Sequence, residues 1–145
     1  MIRPTIRALA ALLTVVLVAT PARAQDGVAE VGGLLAQAWA GGQVADVETF
    51  LPDGGIHLSL HGVDHSGVSR RQARAALERF LGDFETESMS VRRAESLGGT
   101  PSQGLVELAW IARAVGTAEE RPFVIFISLE RSSNDWCIKE IRVFS

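Results

Sequence analysis

The chain contains no tyrosine and only one cysteine among its 145 residues. Without tyrosine, no phenolic hydroxyl is available for proton transfer or hydrogen bonding. The lone Cys137 excludes an intramolecular disulfide, so the fold has to be held together by packing. Cys137 lies in an alternating segment and is predicted to be a small buried hydrophobe. The alternatives are a reactive thiol or a link between subunits.

The chain also lacks an apolar run long enough to cross a bilayer. The apolar stretch at residues 8–19 ends before Pro21 and is shorter than the roughly 18 residues that a spanning helix needs. Arginines precede this stretch, and an Ala-x-Ala pattern ends at Ala24. The sequence therefore predicts a signal peptide over residues 1–24. The product would be exported, periplasmic or secreted, with no stable membrane insertion after cleavage.

The remaining residues, 25–145, suffice for a single domain and leave no room for a second. Cleavage removes Arg3, Arg7 and Arg23 from the 14 basic residues but none of the 17 acidic ones, which leaves a net charge of about −6. Such a balance makes nucleic acid a poor partner. No cofactor motif is found, so no cofactor is expected.

Helical spacing of apolar residues predicts helices over residues 26–40, 44–51 and 70–84. Ser69 with Gln72 three residues later forms the capping-box signature of the third helix. Gly32 and Gly33 weaken the first helix by about 1 kcal/mol each relative to alanine.

Alternation of apolar and polar residues predicts strands elsewhere in the chain. The predicted strands are residues 56–60, 89–97, 106–115, 123–129 and 136–144. Residues 62–67 are predicted to form a turn or a short hairpin. Because short links join the last four strands, they should form an antiparallel meander. The predicted class is α+β, with helices packed on the concave face of a curved antiparallel sheet.

This order of elements resembles the nuclear-transport-factor-2-like, or cystatin-like, α+β cone over nearly the whole chain after the signal. The stretch IHLSLHGVDHSGVSRRQARAALERFLGDF and the final strand WCIKEIRVF look more narrowly like small exported bacterial domains of unknown function with that fold. The shared features are a glycine-containing turn, a serine-capped helix, and a closing strand with Glu140 and Arg142. These features describe a fold and do not name a reaction.

The resemblance implies a conical cavity that binds or transforms a hydrophobic ligand in some members and is filled in others. The expected cavity lining in this chain is Trp39, Phe80, Trp110 and Phe126. Steroid-isomerase-like and scytalone-dehydratase-like members use tyrosines, which this chain lacks. Epoxide-hydrolase-like members use an Asp, Arg and Asp set, whereas here Asp135, at a strand edge, is the only aspartate near the predicted meander strands.

His57, His61 and His65 recur every four residues, a spacing that suits metal ligands on a helix. In a strand, however, His57 and His61 would lie about 13 Å apart, whereas zinc binds each nitrogen at about 2.1 Å. No metal site is therefore predicted. His61, Asp64 and His65 around the turn are candidates for convergence, and a solvated turn is the alternative.

Glu107 and Glu140 are the other candidate catalytic groups. Glu107 shares a strand face with Arg113, and Glu140 with Arg142; Trp136, Ile138 and Phe144 are predicted to lie on the same face as Glu140. The favoured interpretation is solvated cross-strand ion pairs. The alternative is a carboxylate inside the cavity that acts as a general base.

The segment at residues 123–127 is apolar on both faces, unlike a half-solvated strand. One face can pack under the helices and the other needs different cover, so a homodimer or a partner on the outer sheet face is predicted. The preferred function is non-catalytic binding of a small apolar ligand or a protein partner. The alternative is a small hydrolase, isomerase or dehydratase acting in the cone cavity.

Overall fold

The computed structural model describes residues 23–145. In chain order the elements are α1 (Arg23–Ala40), α2 (Val44–Glu48), β1 (Ile56–Leu60), β2 (Val63–Val68), α3 (Arg70–Gly82), β3 (Phe84–Gly98), β4 (Gln103–Ala114), β5 (Glu120–Ser132) and β6 (Asp135–Phe144). The strands form one sheet with α1 and α3 packed against one face, which confirms the predicted fold class. The predicted signal peptide lies outside the described residues except for Arg23 and Ala24, where α1 begins.

The strand order across the sheet is β2-β1-β6-β5-β4-β3. The meander β3 to β6 is antiparallel, as expected, but β1 and β6 pair in parallel, with Leu58 opposite Ile141. This pair is parallel because α3 carries the chain away from the β1–β2 hairpin before the meander returns to the free edge of β1. The predicted turn at residues 62–67 is mostly strand β2, and the hairpin turn lies at His61 and Gly62, both with positive φ.

Helix α3 begins with the predicted capping box. The backbone N–H of Gln72 donates to Ser69 Oγ at 3.2 Å, and the backbone N–H of Ser69 donates to Gln72 Oε1 at 2.9 Å. The helix ends at Gly82, so the prediction that it reaches Phe84 is wrong. Phe84 instead opens β3 opposite Ala114, because cross-strand pairing satisfies its backbone once the helix has ended.

The core lies between the helices and the face of the sheet that they cover, called here the inner face. Alternate residues of the central strands point into it, and α1 supplies Val28, Leu35 and Trp39 from above. The inner-face residues of β4 and β5 are Val106, Leu108, Trp110, Ala112, Phe123, Ile125, Ile127 and Leu129. Among the described residues, no polar or charged residue is buried. The core is therefore apolar throughout.

A β-bulge in β6 changes which residues face the core. Ser128 pairs with Glu140 while Leu129 pairs with Ile138, so Lys139 is the extra residue. Before the bulge Ile138 points into the core, and after it Ile141 and Val143 do. The prediction that Glu140 and Arg142 share a face with Trp136 and Ile138 is therefore wrong, because one extra residue reverses the alternation.

The short helix α2 is tied to two neighbours. Glu48 contacts Arg74 Nη1 at 2.6 Å and Arg70 Nε at 3.6 Å on α3. A hydrogen bond from Glu78 and the nearby Glu48 carboxylate raise the pKa of Arg74 above its ordinary value. After α2, the carbonyl of Phe50 accepts from the backbone N–H of Ile138 at 2.8 Å. This turn is therefore held against β6. Within residues 23–145, no helix is both long and apolar enough to cross a membrane.

Candidate functional site

The three histidines of the β1–β2 hairpin lie in three different environments. His57 lies on the outer face of the sheet, opposite Glu140 on β6. His61 occupies the hairpin turn with φ of 50°. His65 lines a small cleft on the helix side, next to Phe80 and Arg79 of α3. No group of three or more possible metal-ligating side chains is found in the part of the chain that the structure describes.

His57 is the centre of a polar cluster on the outer face. Its Nδ1 lies 3.2 Å from Ser66 Oγ, and its Nε2 lies 3.8 Å from Asp64 Oδ1 and 4.0 Å from Glu140 Oε1. Asp64 therefore lies next to His57, and the predicted convergence of Asp64 with His61 and His65 around the turn is not found. Residue types of this kind form catalytic triads, but there the orienting carboxylate is within hydrogen-bond reach of the imidazole. Here both carboxylates are beyond that reach, and Asp64 is largely exposed.

His61 contacts the end of the chain. Its Nδ1 lies 3.0 Å from Ser145 Oγ, and its ring packs edge-on against Phe123 at 5.9 Å between centroids. Neither contact brings a carboxylate to the imidazole. His61 therefore closes one end of the core beside Phe123 and has no acid partner for proton transfer among these contacts.

Glu107 lies on the outer face, where it pairs with Arg93 of the neighbouring strand at 3.6 Å. Its side chain is 18% exposed, and Phe126 lies opposite it on β5. Glu140 also lies on the outer face, paired with Arg142. Neither carboxylate reaches the inner face, which is where a cavity base would have to be.

Three of the four residues predicted to line the cavity meet in an aromatic cluster on the inner face. Trp39 packs edge-on against Trp110 at 5.9 Å and against Phe80 at 6.4 Å between centroids. Phe84 and Phe123 complete the cluster, with Trp110 and Phe123 only 4.9 Å apart. Trp39, Trp110 and Phe123 are each 1% exposed. These rings pack against one another, so this part of the cone is filled by side chains.

The two indole N–H groups of this cluster differ. Trp110 Nε1 donates to Thr86 Oγ1 at 2.9 Å across the strand pair. Trp39 Nε1 is buried with no hydrogen-bond partner among the described residues. The threonine on β3 therefore fixes the orientation of Trp110, and packing alone fixes that of Trp39.

Phe126, the fourth predicted cavity residue, lies on the outer face instead. Its neighbours Ile125 and Ile127 are buried on the inner face, and its ring packs against Phe144 of β6 at 5.9 Å. The sequence shows the alternation along the strand, which places Phe126 and Ile125 on different faces. It does not show which of the two faces the helices cover. The structure resolves that choice.

Around Phe126 and Phe144, apolar side chains of three strands form an outer patch. Its members are Leu105, Ala109, Ile111, Val124, Phe126 and Phe144. Phe144 is 49% exposed and Ile111 is 37% exposed. Of this patch, sequence reasoning identified the apolar outer side of β5 but missed Ile111 and the proximity of Phe144 to it. The register between strands, which the sequence does not show, brings them together.

The outer patch has an ion pair on each side. Arg93 and Glu107 lie toward β3, and Glu140 and Arg142 lie on β6. Each flank therefore carries one acid and one base. This mixed border suits a binding surface with an apolar centre and a polar rim.

Comparison with known proteins gives matches among solved structures alone: no family model matches the chain, and no curated protein does either. A DUF4783 family protein from Bacteroides uniformis has a TM-score of 0.62 at 17% identity, over 78% of this chain and 94% of that one. A nuclear-transport-factor-2-like protein from Cytophaga hutchinsonii has a TM-score of 0.62 at 12% identity, over 83% and 96%.

A nuclear-transport-factor-2-like protein of unknown function from Shewanella oneidensis has a TM-score of 0.60 at 14% identity, over 83% of this chain and 98% of that one. At such low identity, similarity extends to the fold and leaves the chemistry of the site open. Together with the helix-covered, curved sheet, these matches show that the chain has the nuclear-transport-factor-2-like fold.

Proposed function

We propose that this protein is an exported, non-catalytic binding domain that docks a second copy of itself on the outer patch. The observation that carries the proposal is the Phe126–Phe144 pair, two aromatic side chains left partly exposed at the centre of an apolar sheet face. Export is supported by the signal-peptide pattern at residues 1–24.

The packing of the inner face makes a ligand site inside the cone less favourable than a binding site on the outer face. Trp39, Trp110 and Phe123 occupy the space where a small apolar ligand would be expected, and each is almost fully buried. Inserting a ligand would require these rings to move apart and lose their mutual contacts. The outer patch needs no such rearrangement.

The outer patch is suited to a protein because it is broad and apolar. Three adjacent strands contribute to it, and apolar patches of this kind with a polar rim mark sites of protein association. Aromatic residues at the centre of an interface commonly contribute most of its binding energy. Phe126, placed between Glu107 and Arg142 in the strand register, has this central position.

A second copy is the occupant that the charges favour. Both flanks carry an acid beside a base, so a two-fold related copy does not place charges of one sign against each other. A partner surface of one sign would meet a repulsive group on each flank. The patch is therefore self-complementary in charge as well as in apolarity.

Light scattering coupled to size-exclusion chromatography tests this proposal. The purified protein should have the mass of a dimer, and Phe126→Glu should give a monomer because it places a charge at the apolar centre. Ile111→Glu, at the more exposed edge, should weaken the dimer without abolishing the fold. Val63→Glu, at a 56% exposed residue on the hairpin away from the patch, is the matched control and should remain dimeric.

Circular dichroism of each variant separates lost association from lost folding. A wild-type protein that stays monomeric at all concentrations would overturn the proposal. So would a dimer that Val63→Glu disrupts as strongly as Phe126→Glu does.

The alternative, a hydrolase, isomerase or dehydratase acting in the cone, has less support. Its candidate bases Glu107 and Glu140 lie outside the cone, and His61 has no carboxylate among its contacts. No specific observation favours it over the binding function.

A further inference from the structure

A cleft lies on the helix side of the sheet, away from the outer patch. This surface, the α1 cleft, is bordered by α1, the turn after α2 and the β5–β6 hairpin, and it encloses about 470 Å³. That volume is within the range of small-molecule sites. Its apolar lining includes Val31, Leu34, Phe50 and Trp136.

Trp136 is held in the α1 cleft by two glycines. A Cβ atom on Gly27 would lie 3.1 Å from Trp136 Nε1, and one on Gly104 would lie 3.5 Å from Trp136 Cζ3. The absence of side chains at both positions lets the indole lie directly against α1 and β4. The residue is nevertheless only half-buried, so part of it remains accessible from the cleft.

Arg131 places a positive charge beside this ring. Its guanidinium lies 5.8 Å from the centroid of the Trp136 ring, a cation–π arrangement that limits where the side chain can go. Its backbone N–H donates to the carbonyl of Ser102 at 2.8 Å, which also fixes the strand here. Among the described side chains, no carboxylate lies within ion-pair distance of Arg131.

Two carboxylates line the same cleft, Glu30 from α1 and Asp135 from the start of β6. Neither is part of an ion pair with another described side chain. A purely anionic ligand could pair with Arg131 but would be repelled by both carboxylates. A purely cationic ligand could pair with a carboxylate but would be repelled by Arg131 and leave it unpaired.

We propose that the α1 cleft binds a small zwitterion with an apolar side chain, the chemistry of a free apolar or aromatic α-amino acid. Arg131 pairs with the ligand carboxylate, and Glu30 and Asp135 attract its ammonium group. The ligand side chain lies on Leu34, Phe50 and the exposed part of Trp136. Leu34, 47% exposed in the protein alone, gains cover in the complex.

Isothermal titration calorimetry measures this binding directly. L-Phenylalanine should give a saturable heat of binding, and its concentration dependence gives a Kd. Phenethylamine lacks the carboxylate and hydrocinnamate lacks the ammonium group. Each should bind at least about tenfold more weakly than L-phenylalanine, since each loses one charge pair.

Variants identify which charge is recognised. Arg131→Gln should remove the preference for L-phenylalanine over phenethylamine, and Glu30→Gln should reduce the preference over hydrocinnamate. The matched control is Arg121→Gln, which removes an exposed arginine from the same strand outside the cleft. It should leave all three Kd values unchanged.

The proposal is overturned if L-phenylalanine gives no saturable binding, or if all three compounds bind equally tightly. It is also overturned if Arg121→Gln weakens binding as much as Arg131→Gln. Because the cleft and the outer patch are on opposite sides of the sheet, repeating the measurement on Phe126→Glu separates ligand binding from dimerisation.

Discussion

Strand β5 carries apolar side chains on both faces, yet the two faces are covered to very different degrees. Ile125 and Ile127 on the inner face are fully buried under the helices, whereas Val124 and Phe126, which alternate with them, are only half-buried. The residue types are nearly the same. The difference comes from α1 and α3, which pack against one face alone. An apolar residue in this strand therefore belongs to the core or to a partly exposed surface according to whether the helices cover its face.

The two faces also differ in how they treat charge. No described charged residue is buried on the inner face, while the outer face carries ion pairs that remain in contact with water. An unpaired charge in the interior would lose its hydration without compensation. On the outer face, charged side chains stay partly hydrated, so placing them there carries little desolvation free energy.

The largest contrast should come from removing one aromatic side chain from each face. Trp110→Ala removes the central ring of the inner cluster and should lower the free energy of unfolding by about 3–5 kcal/mol, because a cavity forms in a filled core. Phe126→Ala, measured on the monomer, should cost only about 1 kcal/mol, because that ring is only half-buried. Urea unfolding of both variants makes the comparison. Equal losses would mean that the two faces are equally buried in the monomer.

An intermediate effect is expected where α1 packs tightly against Gly104 of β4. A Cβ atom on Gly104 would lie 3.0 Å from Val28 Cγ2, inside the core, so Gly104→Ala should destabilise the protein by about 1–3 kcal/mol. Gly33 on α1 has no atom within 4 Å of the corresponding position. Gly33→Ala should therefore stabilise the helix by about 0.5–1 kcal/mol. Thermal unfolding of the Gly104→Ala and Gly33→Ala variants tests whether the close contact between Gly104 and α1, and not the loss of a glycine as such, determines the change in stability.

The smallest effect should come from the ion pair on the outer face. A double-mutant cycle with Arg93→Gln and Glu107→Gln should give a coupling of about 0.2–1 kcal/mol, because Arg93 is about half exposed and water screens the pair. High salt should reduce this coupling further. A coupling of several kcal/mol that salt does not change would indicate that the outer face is covered even in the monomer.

Much of the fold was predictable because its signals are local. The capping box at Ser69 and Gln72 depends on residues three apart, and it is present as predicted. The meander follows from short links between alternating segments. The end of α3 was predicted wrongly because Phe84 continues the apolar spacing of the helix. In the structure its backbone pairs instead with Ala114 of β4, thirty residues away in the chain.

The candidate sites were less predictable because they depend on strand register. Asp64 lies beside His57 and Glu140, a neighbourhood created by the parallel pairing of β1 with β6. The bulge at Lys139 reversed the predicted facing of Trp136 and Ile138, and no local pattern announces an extra residue in a strand. Trp136 therefore lines the α1 cleft on the helix side, while Glu140 lies on the other face.

By itself, the sequence determined the class of fold, the order of its main helices and meander strands and the apolar character of both faces of β5, because these depend on the spacing of residues close in the chain. Only the tertiary structure decided which face became the core, which placed Phe126 outside and Trp110 inside. It also brought Arg131, Glu30 and Trp136 into one cleft. Such choices depend on the packing of distant segments, whose relative placement no local pattern specifies.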